Sequence, residues 1–169
     1  MIVILNACRR EIEPFPEDIR SDLADALARL DASLHLSMPR SRPMPNIVVG
    51  LKARSGAYRI VYALVAQGEG DSAMIKKRRP SAAGLARQLG IPKRRGVEAV
   101  LKAQLIAAVT RQIERRRLTH AEVAARSGLP RTAVTGILSG SLQKVTIDRV
   151  LRLLEAVGLE ATVRVTRAS

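Results

Sequence analysis

The chain is poor in the residues that build stapled or metal-bound folds: one cysteine and two histidines in 169 positions. A single thiol, Cys8, excludes an internal disulfide framework. With no CxxC and no Cys/His cluster, no metal site is expected, and no cofactor motif is present. Cys8 itself reads as a small buried apolar residue. No apolar run is long enough to span a bilayer. The opening MIVILNACRR is too short, and its charges fall on the wrong side, for a secretory signal. A cytoplasmic protein with no membrane partner is expected. Acidic residues are also scarce, 15 against 29 Lys plus Arg, giving a formal charge of +14. A field of that sign concentrates polyanions and fits nucleic acid, although membranes and acidic proteins attract it too. The length allows one ordinary domain or two small ones.

What the chain does have is the stretch LTHAEVAARSGLPRTAVTGILSG, Leu118 to Gly140. It predicts two short helices joined by a tight turn. Thr119 is placed to cap the first helix, with Glu122 three residues on, the spacing of a capping box. Val123 and Ala124 supply the apolar face of that helix. Gly128 stands where the backbone must turn into the left-handed region, which costs least without a Cβ. Pro130 suits the first turn of the second helix, where a missing N–H goes unnoticed. Val134, Ile137 and Leu138 recur at helical spacing and predict a core-facing side. Arg131, Thr132 and Thr135 fall on the opposite side, near the helix N-terminus.

This stretch resembles the repressor-like helix-turn-helix family that includes phage repressors and many bacterial antitoxins. Leu118, Thr119, Glu122, Ala124, Gly128, Val134 and Gly140 stand at that family's intervals. The family usually has Gln after the capping Thr; this chain has His120. The resemblance implies base contacts from Arg131, Thr132 and Thr135, and phosphate contacts from Thr119, His120 and Lys144. It implies double-stranded DNA as partner, with a pseudo-palindromic operator matching a two-fold homodimer.

The first half reads as mixed α/β. Ile2 to Leu5 and Ile47 to Val49 are short β-branched runs, and GAYRIVYALV predicts a strand over Tyr58 to Val65. Ser72 to Ile75 is a weaker strand candidate. Glu17 to Leu34 carries Ile19, Leu23, Ala26, Leu27 and Leu30 at helical spacing. SMPRSRPMPN, residues 37–46, predicts an extended loop. A helix is expected from Pro80 to Leu89. GIPKRRG, residues 90–96, is the candidate border between domains 1–92 and 93–169. Beyond it the pattern is helical: Val97 to Arg117, the two short helices, then a helix capped by Thr146, ending near Gly158. LEATVRVT, residues 159–166, alternates with period two and predicts an edge strand. Pairing with a second copy would satisfy that strand, through Val163 and Val165 with Leu151 and Leu154 beneath. Pairing with the N-terminal sheet is the alternative.

EPFPEDIRSDLADALARLD, RPMPNI and GAYRIVYAL, taken in order, resemble the HigB-type toxins of the RelE-like superfamily, over residues 2 to about 90. The second half resembles the partner HigA-type antitoxin, with VTIDRVLRLLEAVGLE as its signature. The toxins are metal-independent endoribonucleases acting on ribosome-bound messenger RNA. The resemblance implies Arg59, Lys76 and Lys77 as the phosphate-holding residues, with Lys52 and Arg54 behind them. The departures are the absent Glu-Leu-Arg strand and QGEGDSAMI where an apolar strand ending in His belongs. They point to a toxin fold that has lost catalysis. The fold class expected is therefore α+β: a small RelE-like α/β domain followed by an all-α helix-turn-helix domain with a C-terminal β-strand. The function expected is a DNA-binding transcription regulator, a repressor, whose first domain could bind another protein. The alternative is an endoribonuclease toxin fused to its own antitoxin.

Overall fold

The structure is a computed structural model. It describes residues 4, 6–32, 34, 41–42, 47–53, 56–62, 82–140 and 145–163, and of residues 6–7 and 41–62 the backbone alone. Seven helices are described: α1 (Asn6–Ile12), α2 (Glu17–Asp31), α3 (Ala82–Leu89), α4 (Lys93–Arg116), α5 (His120–Ser127), α6 (Arg131–Leu138) and α7 (Ile147–Ala156). Between α2 and α3 the backbone forms β1 (Ser41–Arg42), β2 (Ile47–Ala53) and β3 (Gly56–Tyr62). These pair antiparallel in the order β1-β2-β3, with β2 and β3 in register from Ile47 opposite Tyr62 to Ala53 opposite Gly56.

The long helix α4 organises the rest, because two apolar cores form along it. Toward its start, Ala99 and Ala103 meet Ile19, Leu23 and Leu27 of α2 and Leu85, Ala86 and Leu89 of α3. Small residues on α4 let the other two helices come close. Gly96 marks the tightest approach: a Cβ there would fall 2.5 Å from the Ala82 carbonyl oxygen and 2.8 Å from the Ala86 Cβ. Toward its end, Ile106 and Val109 meet Val123 of α5, Val134 and Ile137 of α6, and Val150, Leu153 and Leu154 of α7. Leu34, just past α2, joins this second core. Both cores therefore draw on residues from either side of position 93. Arg20 of α2 donates to the carbonyls of Leu89 (3.2 Å) and Gly90 (2.8 Å), satisfying the orphan acceptors where α3 ends.

The expected α+β class is overturned. Among the residues whose side chains are described, all regular structure is helical. Ile4 lies outside any strand and the chain enters α1 at Asn6; residues 2, 3 and 5, the rest of that expected strand, lie outside the described residues. What packs on α4 from the first half is a pair of helices, whose apolar stripes fit the alanine face of α4. Among the described residues, no RelE-like α/β domain is shown. The C-terminal edge strand is also corrected: Leu159 to Val163 has no regular structure, and Glu160 to Val163 are exposed. Period-two alternation does not make a strand without a free edge to pair with. The β1-β2-β3 sheet contains no partner for it. Residues 72–75 and 164–166, the other parts of those expected strands, lie outside the described residues. Among the described residues, no helix is long and apolar enough to cross a membrane.

Candidate nucleic-acid interface

The turn between α5 and α6 is built by local chemistry. Thr119 is the N-cap of α5: its Oγ1 accepts from the Glu122 amide at 3.2 Å. The Glu122 Oε2 accepts in return from the Thr119 amide (2.7 Å) and hydroxyl (2.8 Å), completing the capping box. The Thr119 amide holds the Glu122 carboxyl below its ordinary range, and the Thr119 hydroxyl adds to this. Gly128 ends α5 at φ 65°, in the left-handed region. Space there is tight as well: a Cβ would lie 2.9 Å from Arg152 Nη2. Arg152, on α7, donates through Nε to the Ser127 carbonyl at 3.1 Å, so α7 holds the turn from behind.

Pro130 then leads into α6, whose Val134 and Ile137 are buried against the second core. Arg131, Thr132 and Thr135 are exposed. At about 100° per residue they share one face of the helix. Ser139, just past the helix end, continues that exposed line, and its hydroxyl donates to the Thr135 carbonyl at 2.6 Å. His120 begins α5, and its Nδ1 lies 3.2 Å from the Thr135 Oγ1, joining the start of one helix to the outer face of the next.

The remaining candidates fall out as follows. Both hydrogen-bond donors of Thr119, the amide and the hydroxyl, are taken by Glu122, so it has none left for a phosphate in this arrangement. Lys144 and Val165 lie outside the described residues. Leu151 (42% exposed) and Val163 (82%) are on the surface. Leu154 is 4% exposed and belongs to the second core, so it has no surface to offer a second copy. Arg59 stands in β3 opposite Gly50, and Lys52 in β2 opposite Ala57. Lys76, Lys77 and Arg54 lie outside the described residues. That register puts Lys52 and Arg59 at diagonal positions of the β2–β3 pair, and their side chains are not among those described.

One group of functional interest is absent from the sequence reading. Behind the two short helices, Lys102 of α4 is buried with its Nζ 3.1 Å from Asp25 Oδ2 and 3.3 Å from Glu98 Oε1. The same ammonium donates to the Val145 carbonyl at 3.4 Å. Arg29 of α2, 3% exposed, donates through Nη1 to the Ile137 carbonyl at 3.0 Å. Asp25, Arg29, Lys102 and Val145 line a small pocket with Ala99 and Ala103. Burial pushes the Asp25 carboxyl up, outweighing the pull of Lys102. Burial raises Glu98 as well, but Lys102 and Arg95 together hold it below its ordinary range. No motif announces these charges. The only signal in the sequence is their position: Asp25 and Arg29 fall among the apolar residues of an amphipathic helix.

Compared with known families, residues 93–166 match a model described as a helix-turn-helix domain. The match opens at the first residue of α4 and runs beyond α7. No curated protein and no solved structure matches the chain. Geometry and family match agree on a helix-turn-helix domain over this stretch, an architecture that supports DNA as the partner.

Proposed function

We propose that the protein is a sequence-specific DNA-binding transcription regulator, acting as a repressor, with α6 as its recognition helix. The observation that carries this reading is the division of α6. Val134 and Ile137 lock one side into the core, while Arg131, Thr132 and Thr135 stand exposed on the other. Arg131, at the first position, has the planar fork that pairs with guanine O6 and N7 in the major groove. Thr132 and Thr135 are short enough to sit against thymine methyls. His120 and Lys144 contact phosphates and set the register without reading sequence. The formal charge of +14 adds attraction that is indifferent to sequence.

A single short helix in a groove buries little surface, so useful affinity comes from two copies on two half-sites. Leu151 and Val163 are exposed apolar residues available for that contact. A pseudo-palindromic operator then mirrors the pair, and the protein works in the compartment that holds the genome. The test is selection of bound duplexes from a random pool, followed by footprinting of the winner. An enriched motif of two half-sites about one helical turn apart is expected. A pool that stays random after repeated rounds, with the protein still retaining DNA, would sink the reading.

A further inference from the structure

The segment joining α6 to α7 runs from Ser139 to Thr146. Two buried cations from outside the helix-turn-helix pair hold a carbonyl just before it and one near its end. Arg29 of α2 binds the Ile137 carbonyl, and Lys102 of α4 binds the Val145 carbonyl. Ile137 is in the last turn of α6, two residues beyond the exposed Thr135. Its carbonyl is among the last of the helix, where the backbone offers it only a long bond from the Gly140 amide (3.4 Å) and the macrodipole favours a cation. The Arg29 guanidinium adds a shorter, charged donor at 3.0 Å. It comes from a residue 108 positions earlier in the chain, on a helix that packs against α4 in the other core. Arg29 is 3% exposed, so it cannot itself touch DNA.

We propose that Arg29 is a positioning residue for DNA reading: it anchors the C-terminal end of α6 to α2 and so fixes the angle at which the recognition face enters the groove. The inference rests on the DNA-binding reading above. Lys102, held by Asp25, fixes the far end of the connecting segment from the same side. The N-terminal helices thereby act as a brace for the reading head. A loosened α6 still carries its charges, so binding to random DNA survives. What is lost is simultaneous registry of Arg131, Thr132 and Thr135 with their base edges, which needs placement to a fraction of an ångström.

The experiment measures the affinities of the full chain for its selected duplex and for a random duplex, at one salt concentration. Arg29→Met removes the donor and keeps much of the volume. Its selected-site affinity is expected to fall at least about ten-fold, one decade of binding constant. Its random-site affinity should change by less than about two-fold, because the phosphate contacts that supply it remain. Arg29→Lys, which keeps the charge and a donor, should restore part of the preference. Leu85→Ala in α3 removes core volume without touching α6 and should leave the ratio of the two affinities unchanged. A folded Arg29→Met with the parental ratio overturns the proposal. Should that variant not fold, amide exchange on the parent decides. Selected DNA, and not random DNA, should slow exchange over residues 25–31 of α2, and equal protection by both overturns the proposal. A parent that prefers no duplex at all would instead sink the DNA-reading function.

Discussion

His120 Nδ1 and Thr135 Oγ1 lie 3.2 Å apart, tying the first residue of α5 to the outward face of α6. The contact joins a proposed phosphate-binding side chain to a proposed base-reading one. His120→Ala should therefore do more than remove one phosphate contact. The salt dependence should fall by about one unit of slope, and preference at the base pair read by Thr135 should relax. Competition titrations against half-sites varied at each position check both. Uniform weakening across all sequences would leave His120 as a phosphate contact alone.

Arg131→Ala should cost about 1–3 kcal/mol on the preferred site and relax discrimination at one base pair. Arg131 is exposed at the start of α6, so the fold should not notice, and the melting temperature should stay at the parental value. Unchanged affinity for both selected and random duplexes would remove α6 from the groove.

The capping box gives the acid limb of stability a named contributor. Glu122 is held below its ordinary range by the Thr119 amide and hydroxyl. Its stabilisation is therefore complete above the unfolded value of about 4.3. It is lost as pH falls through the lower folded value. Glu122→Gln should flatten the fall in stability below that pH, as read by denaturant midpoints across a pH series. A parental acid limb in the variant would show that the box contributes nothing there.

Asp25 runs the other way. Burial raises its carboxyl in the folded chain, so folding favours the protonated form of this group. Its contribution improves as pH falls from the folded value toward the unfolded one. Lys102→Met removes the ammonium that sits 3.1 Å away and strands a buried carboxylate, at a cost on the order of 3–5 kcal/mol near neutrality. That deficit should shrink on acidification, as Asp25 takes up a proton. A deficit independent of pH would mean that the loss comes from packing and from the vacated Val145 carbonyl.

Light scattering of the intact protein should give twice the 18.4 kDa chain mass. Leu151→Asp, at an exposed position of α7, should lower it to one chain without changing helix content. A single-chain mass for the parent at concentrations of tens of micromolar, roughly the weak end of specific association, would move dimer formation onto the DNA itself.

What was legible in the sequence follows the range of the forces involved. Thr119, Glu122, Gly128 and Thr146 were readable because caps and left-handed turns are settled within four residues. The apolar spacing of Leu23 and Val134 located two core-facing helices for the same reason. The tail from Leu159 was misread because alternation records which side is apolar, and says nothing of whether an edge waits to be joined. Leu154 was expected at a contact with a second copy because helical spacing alone does not separate a stripe turned to the core from one turned to a partner. Ile47 to Val49 and the run from Tyr58 were read as strands and fall in β2 and β3, whereas Ile4 of the first apolar run lies outside any strand, and the first-half helices packed on α4 are α2 and α3. Arg29 and the Lys102–Asp25 pair were invisible because the Ile137 carbonyl stands 108 residues from Arg29 and Asp25 stands 77 from Lys102.

The ion pair of Lys102 and Asp25 also bears on how such a chain could be taken apart. The stretch that matches the helix-turn-helix model starts at Lys93 and leaves Asp25 behind. Excised there, α4 would present the bare alanine face of Ala99 and Ala103 to water, with an ammonium lacking its main counter-charge beside it. Such a cassette is recognisable without being portable. Grafted onto another protein, it would arrive with α6 and the segment after it unmoored, and a host would have to supply an acid and a guanidinium at the same two places to restore the bonds that Asp25 and Arg29 make.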